Sequence, residues 1–288
     1  MIRVVVVSYR NEATLDSLLG SLGEKLRTKA EIVMWTNDEG SRAFLEDWKR
    51  RHLSFPLPVF VGGDGTNVGF SKACNRAATF ETGSPKADAF FFVNPDARLL
   101  TPVEDADVSA LLSHHAIVGI RVYDGDAKTP QASSRGFPSF ATAITGREGF
   151  LTRLWPGNPW SQRYLRPDLF EKNGVARVDW ASGSGLFAPR DLWERLGGFD
   201  ERFFLYVEDV DLGRKAQAAG IPVVHDPRLA IAHSIGGSYA GRRSYRADLH
   251  HHRGMWKYYL KWSRGPRLLL APLVLLGILA RFLLRRFA

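Results

Sequence analysis

The chain has 288 residues, 45% hydrophobic content and a formal net charge of +9, ordinary values for a globular protein of one large domain plus an appendage. Its single cysteine, Cys74, excludes an internal disulfide framework and suits a reducing cytoplasm. The positive excess is local: residues 242–288 hold eleven Lys and Arg against one acid, Asp248, so this tail carries +10 and the remainder −1.

In chain order, residues 3–9 read as a buried strand. The apolar run 4–7 is too short for a signal peptide and has no cleavage site, so the protein is expected to start on this strand and to stay in the cytosol. A helix over 13–26, a strand over 31–36, a helix over 41–51, a short strand over 59–62, a helix over 70–82 opened by Asn67-Val68-Gly69, and a strand over 89–94 follow. Such βαβ alternation predicts a Rossmann-like α/β fold, a mostly parallel central sheet flanked by helices. Ligands in that architecture sit outside the carboxyl ends of the strands. Ser8-Tyr9-Arg10-Asn11, Thr36-Asn37-Asp38 and Asn94-Pro95-Asp96 fall at three such ends, and Pro95 stops its strand so that Asp96 projects into the crevice. Residues 123–179 are rich in Pro, Gly and Ser with little periodicity, and read as a long loop over the site. No internal repeat, low-complexity segment or heptad pattern is present.

The segment Gly197-Gly198-Phe199-Asp200-Glu201-Arg202-Phe203-Phe204-Leu205-Tyr206-Val207-Glu208-Asp209-Val210-Asp211-Leu212 sets five carboxylates among aromatic residues. Gly-Gly-Phe-Asp reads as a turn, and 203–207 is too apolar to face water, so the chain is expected to enter the core and deliver Glu208 and Asp209 to a pocket wall. Residues 212–219 are helical and stop at Gly220. A plainer explanation of the acids is that they favour the helix macrodipole.

In the tail, Arg253, Lys257, Lys261 and Arg264 line one helix face and Met255, Tyr259 and Trp262 another. The wholly apolar run 268–280 falls short of the roughly 20 residues a bilayer span needs. With Arg281, Arg285 and Arg286 following, an interfacial anchor fits, against the alternative of a solvated basic helix pair closing the domain. No nucleic-acid partner is expected, because apolar 268–284 has no task on phosphate.

The acidic segment resembles the acceptor-side motif of glycosyltransferase family 2, especially its bacterial rhamnosyltransferases. The likeness continues through Trp180-Ala181-Ser182-Gly183-Ser184-Gly185, Phe92-Val93-Asn94-Pro95-Asp96-Ala97 and Asn67-Val68-Gly69-Phe70, and covers residues 3–238. Leu154-Trp155-Pro156-Gly157-Asn158-Pro159-Trp160 is similar to the mycobacterial-type members that add rhamnose to an N-acetylglucosaminyl-diphospho-polyprenol. The resemblance implies a GT-A domain over 1–241, with a nucleotide-sugar half at 1–122 and an acceptor half at 123–241, followed by a membrane-associating helical tail at 242–288. It implies an inverting transferase using Mg²⁺ or Mn²⁺, moving L-rhamnose from dTDP-rhamnose to a polyprenyl-diphosphate-linked sugar, peripheral or monotopic on the cytoplasmic side of the membrane. Another donor such as a UDP-hexose, a homo-oligomer, and a sugar-recognition scaffold with a degenerate fold stay open.

The resemblance also implies roles. Asp209 is the general base, Glu208 positions acceptor hydroxyls, and Asp211 caps the helix or pairs with Arg214. Asn94-Pro95-Asp96 stands where the family has Asp-x-Asp, a departure that removes one charge. Asp96 is then a metal ligand with His233, which follows Asp209 by 24 residues, while His225 is a strand-end residue. Ser8, Tyr9 and Asn11 serve base and ribose, either Asn37 or Asp38 contacts the base, and Asn67, Lys72 and Asn94 lie near the donor. Arg202 reaches a phosphate and Asp200 organises the Gly197-Gly198 turn. Trp180, Ser182, Gly183 and Ser184 let the acceptor sugar approach backbone, or else form a tight strand crossing.

Overall fold

Residues Ile2–Ser8 show no polar alternation, and all seven are buried, as a strand covered on both faces requires. The computed structural model describes residues 1–139, 150–234 and 244–287. The strands are β1 (Ile2–Ser8), β2 (Leu26–Arg27), β3 (Ala30–Thr36), β4 (Val59–Gly62), β5 (Ala89–Val93), β6 (Ala97–Leu99), β7 (Val103–Glu104), β8 (Ile117–Tyr123), β9 (Ser134–Arg135), β10 (Ala176–Val178), β11 (Trp180–Ala181), β12 (Gly185–Pro189) and β13 (Val223–His233). The helices are α1 (Glu12–Lys25), α2 (Glu39–Arg51), α3 (Phe70–Ala78), α4 (Asp105–Ser113), α5 (Phe150–Leu154), α6 (Pro159–Leu165), α7 (Arg190–Leu196), α8 (Glu208–Ala218), α9 (Tyr245–Trp262) and α10 (Ala271–Phe287).

The central sheet runs β10-β13-β8-β12-β5-β1-β3-β4, with β6 on β13. Strands β5, β1, β3 and β4 are parallel neighbours, and β8 and β13 are also parallel. Strand β12 lies antiparallel between β5 and β8 and joins the two groups, so the sheet is mixed rather than mostly parallel. One face buries α1 and the Trp48 side of α2; the other buries α3, α7 and α8. This is the α/β fold expected from the sequence.

Several boundaries differ from the sequence reading. Helix α3 ends at Ala78 rather than 82. The stretch 123–179 holds β9, β10, α5, α6 and a 3-10 turn at Pro167–Leu169; its portion at 140–149 lies outside the described residues, as do Arg242 and Arg243 of the basic tail.

The tail departs most. Helix α9 is docked on the body: Lys257 Nζ donates to Arg202 O at 2.6 Å, and Lys261 Nζ pairs with Asp200 and Asp211, each at 2.7 Å. Two members of the supposed lipid-facing basic stripe are therefore committed to the protein. Residues Gly265–Leu284 form a helical stretch of 20 residues with mean hydropathy 2.1, since Pro272 occupies the first turn of α10, where its missing N–H costs nothing. The run is thus long and apolar enough to cross a membrane, contrary to the length expectation. It packs Phe282 on Tyr245 and His252 of α9, while Leu269, Leu273, Leu276 and Leu284 are exposed.

Candidate active site

The site is built where the two halves of the sheet meet. Phe92 of β5 is fully buried against Trp193 and Phe199, which anchors the Gly-Gly-Phe-Asp turn to the strand that carries Asn94. Gly69 has φ of 86°, and a Cβ there would lie 2.7 Å from Phe204 O. Only glycine allows that approach, which lets Phe70 N donate to Phe204 O at 2.6 Å. The Asn67–Phe70 loop is in this way pinned to the acidic segment.

Glu208 and Asp209 open α8. The two residues before them, Tyr206 and Val207, have φ of 67° and 73°, a left-handed conformation that is a genuine outlier for a β-branched side chain and costs on the order of 1–3 kcal/mol per residue. Favouring a macrodipole does not require this strain. Glu208 is 5% exposed, and among the described residues its Oε2 has no hydrogen-bond partner. Asp209 Oδ1 accepts from Val210 N at 2.8 Å and Oδ2 from Gly183 N at 3.4 Å.

Burial pushes Glu208 well above the ordinary carboxylate range, and the charge of Asp209 adds to it. Burial raises Asp209 too, but the Val210 and Gly183 amides and the positive charge of Arg135 offset part of the rise. Both carboxyls are therefore held above their ordinary values, Asp209 against the pull of those amides and of Arg135. Arg135 is a residue the sequence reading missed. Its guanidinium stands 5.4 Å from the Trp180 ring and 6.0 Å from Tyr164, on β9, whose pairing with β11 has no strong sequence signal.

A stability prediction follows from Glu208. A carboxyl raised in the fold loses its proton first in the unfolded chain, so folding is penalised progressively above the ordinary value of 4.5 and unpenalised below it. Glu208→Gln is expected to raise Tm at pH 7, with the gain vanishing at pH 4. Thermal melts across that range check it; a variant destabilised at every pH contradicts it.

The loop Ser182–Ser184 connects the two sides of the site. Gly183 N reaches Asp209, and Ser184 O accepts from Asn94 N at 3.4 Å. Asn94 Nδ2 lies 3.0 Å from His233 Nε2, and the same nitrogen lies 3.3 Å from Asp96 Oδ1. The structure thus gathers Asn94, Asp96, His233, Ser182, Gly183, Ser184 and Asp209. Trp180 is nearby but buried, its Nε1 donating to Gly136 O at 2.8 Å.

The remaining candidates are spent differently. Ser8 is fully buried, its Oγ donating to Ser41 Oγ at 2.9 Å. Asn37 binds the Asn67–Phe70 loop, with Nδ2 donating to Gly69 O at 3.3 Å and Oδ1 accepting from Val68 N at 3.4 Å. Asp38 caps α2 through Ser41 N at 2.9 Å and accepts from Arg10 N at 2.8 Å. Desolvation pushes Asp38 up, yet the Ser41 and Arg10 bonds hold it below its usual value. Asn67 Oδ1 accepts from Gly69 N, and Asn11 Oδ1 from Tyr9 N. Lys72 is half-buried on α3. Arg202 makes a forked pair with Asp200 at 2.6 Å and is exposed to solvent. Asp200 pairs with Arg202 and Lys261 instead of organising the glycine turn, and desolvation notwithstanding, those bonds keep it far below its ordinary value. Asp211 meets Lys261 and Trp262 of α9, not Arg214. His225, with Nδ1 3.1 Å from Ser134 Oγ, is pushed down to about 4 by burial.

No family model matches the chain. Solved glycosyltransferases share its fold: GalNAc-T7, with UDP, GalNAc and Mn²⁺, at a TM-score of 0.62 and 17% identity over 91% of this chain and 48% of that one, and a Pyrobaculum calidifontis mannosyltransferase, in complex with GDP-Man and Mn²⁺, at 0.58 and 14% over 100% and 75%. The N-acetylglucosaminyl-diphospho-decaprenol L-rhamnosyltransferase of Mycobacterium tuberculosis is 29% identical over 96% of this chain and 94% of its own. Rhamnosyltransferase WbbL of Escherichia coli K12 is 30% identical over 81% and 83%. The chain belongs to the rhamnosyltransferase-type glycosyltransferases. The GT-A fold and the glycosyltransferase class of this enzyme are thereby established together. In this rhamnosyltransferase-type chain, the first Asp of the usual Asp-x-Asp is Asn94, and the amide lies against His233 rather than standing alone.

Proposed function

We propose that the enzyme transfers L-rhamnose from dTDP-rhamnose, with inversion, to a hydroxyl of a polyprenyl-diphosphate-linked sugar. The observation that carries this reading is the aimed pair Glu208–Asp209, joined through Ser182–Ser184 to Asn94, Asp96 and His233. The likeness to a transferase named for a lipid-diphosphate-linked sugar supplies the substrate class. The acceptor oxygen attacks the anomeric carbon, the bond from that carbon to the diphosphate oxygen breaks, and the nucleotide leaves with the electron pair. Asp209 takes the acceptor proton as the new bond forms. One carboxylate suffices, because a diphosphate leaving group needs no protonation by a second acid. Protonated Glu208 donates to an acceptor oxygen and holds it beside Asp209, and the backbone of Gly183 allows the sugar close.

Asp96 and His233 suit a divalent cation: a carboxylate oxygen and an imidazole nitrogen face each other at 3.3 Å, and among the described residues no third His, Cys, Asp or Glu joins them. Asp96 and His233 would hold the Mg²⁺ or Mn²⁺ ion, which when bound would supply positive charge for the leaving diphosphate. Thermal shift with a panel of nucleotide sugars and each metal tests the donor. A tight donor at 100 times its Kd adds about 2.7 kcal/mol of stability, and dTDP-rhamnose is expected to exceed UDP-hexoses; the reverse ranking overturns the donor assignment.

The exposed leucines of α10, bordered by Arg264, Arg267 and Arg281, attach the enzyme to the cytoplasmic face of the membrane in this reading. A chain cut before Gly265 keeps α9 and its contacts to the body. It is expected to leave the membrane fraction, stay folded and hydrolyse donor, while losing transfer to a long-chain polyprenyl acceptor. Vesicle flotation and circular dichroism check this; unfolding on truncation, or continued flotation, contradicts it.

A further inference from the structure

We infer that α9 is a positioning element of the catalytic site, in which Lys261 and Trp262, through Asp211, and Gly254, through the Tyr206–Val207 turn, hold Glu208 and Asp209 in their working orientation. This deepens the proposed function, resting on it for the place of Asp209 at the reacting atoms. Two consecutive non-glycine residues at positive φ persist only where their surroundings over-determine them. Alongside Trp180, Phe203 and Phe137, those surroundings include α9, through Met255 and Tyr258. A Cβ on Gly254 would lie 3.1 Å from Val207 Cγ2 and 3.3 Å from Tyr206 O, so the glycine lets the helix bear directly on the strained turn. His250 stacks on Phe204 at 4.4 Å between centroids, and His251 meets Tyr206 edge-on at 5.8 Å.

The second contact fixes the helix that follows the turn. Asp211 is 0% exposed, and a carboxylate so buried must be paired. Both of its oxygens go to α9: Oδ2 accepts from Lys261 Nζ and Oδ1 from Trp262 Nε1, each at 2.7 Å. The same ammonium reaches Asp200 Oδ2 at 2.7 Å, so one cation ties together both ends of the acidic segment. Residues two apart on a helix point about 200° from each other. Asp211 therefore faces α9 while Asp209 faces the Ser182–Ser184 loop, and any rotation of α8 that loosens one moves the other. A buried ion pair provides little net stability over an apolar pair of the same shape; what it provides here is orientation.

The test is steady-state transfer, or donor hydrolysis, by full-length variants at a temperature where each is folded. The wild-type turnover is the control that separates failure of this inference from failure of the functional reading. Lys261→Met is expected to lower kcat by about tenfold or more, as a misplacement of order 1 Å does, with donor KM changed by less than about twofold. Lys261→Arg is expected to recover most of the loss. Asp211→Asn combined with Lys261→Met is expected to cost no more than either alone, since both act through one contact. If Lys261→Met does not fold, Trp262→Phe, which removes the N–H donor to Asp211 along with part of the ring, is expected to show the same split between kcat and KM. A kcat at the wild-type level in the folded variant, a loss shared equally by donor binding, or Lys261→Arg no better than Lys261→Met would overturn the inference.

Discussion

Asp209→Asn is expected to lower turnover by about 10²-fold or more while leaving donor affinity nearly unchanged, the signature of a lost general base. The amide keeps the shape, but its single oxygen can accept from only one of Gly183 N and Val210 N, so the turnover is compared on the folded variant. The amide cannot take the acceptor proton. The companion Glu208→Gln keeps a hydrogen-bond donor where the protonated carboxyl has one, so its loss is expected to be smaller and to appear mainly as a raised acceptor KM. The wild-type rate should fall on acidification at a pH above the ordinary aspartate value of 3.8, because burial raises Asp209 and the base must be ionised. Rate measurements on both variants across pH check these outcomes. Near-wild-type transfer by Asp209→Asn removes it from the role, and a greater loss in Glu208→Gln exchanges the two assignments.

The second large effect concerns the donor side. Asp96→Ala and His233→Ala are each expected to weaken metal-dependent donor binding by about tenfold or more, because each removes one of the two ionisable groups that face a common point among the described residues. Asn94 adds no charge to compensate. The double variant is expected to cost far less than the product of the two, since both groups serve one ion. Titration of nucleotide sugar with and without metal checks this; transfer insensitive to a chelator rejects the metal assignment for both residues.

Much of this was readable from the sequence where local chemistry forces the structure. The uninterrupted apolar run of β1, the polar clusters at strand ends and the Glu208–Asp209 pair after an apolar segment each allow few alternatives. The pairing of Asp96 with His233 was legible only by resemblance, since nothing local links residues so far apart. The misses have a common cause. Helical spacing showed that Arg253, Lys257, Lys261 and Arg264 share a face, but periodicity does not say what that face meets, and Lys261 meets Asp200 and Asp211. Arg202, expected to reach a phosphate, pairs with Asp200, two residues away. The resemblance left either Asn37 or Asp38 to contact the base; their side chains here hold the Asn67–Phe70 loop and cap α2. The second half of the sheet, from β8 to β13, went unread because its strands pair across long insertions, and the strain at Tyr206–Val207 leaves no sequence mark when the residues are not glycine.

The central claim, an inverting transfer of rhamnose driven by one positioned carboxylate, is tested most directly by incubating the full-length enzyme with dTDP-rhamnose, Mg²⁺ or Mn²⁺ and a polyprenyl-diphosphate-linked N-acetylglucosamine, and determining the anomeric configuration of the product by NMR. The account predicts a disaccharide whose rhamnose has the anomeric configuration opposite to that in the donor. A product that retains the donor's configuration, or no transfer of rhamnose at all, would contradict it.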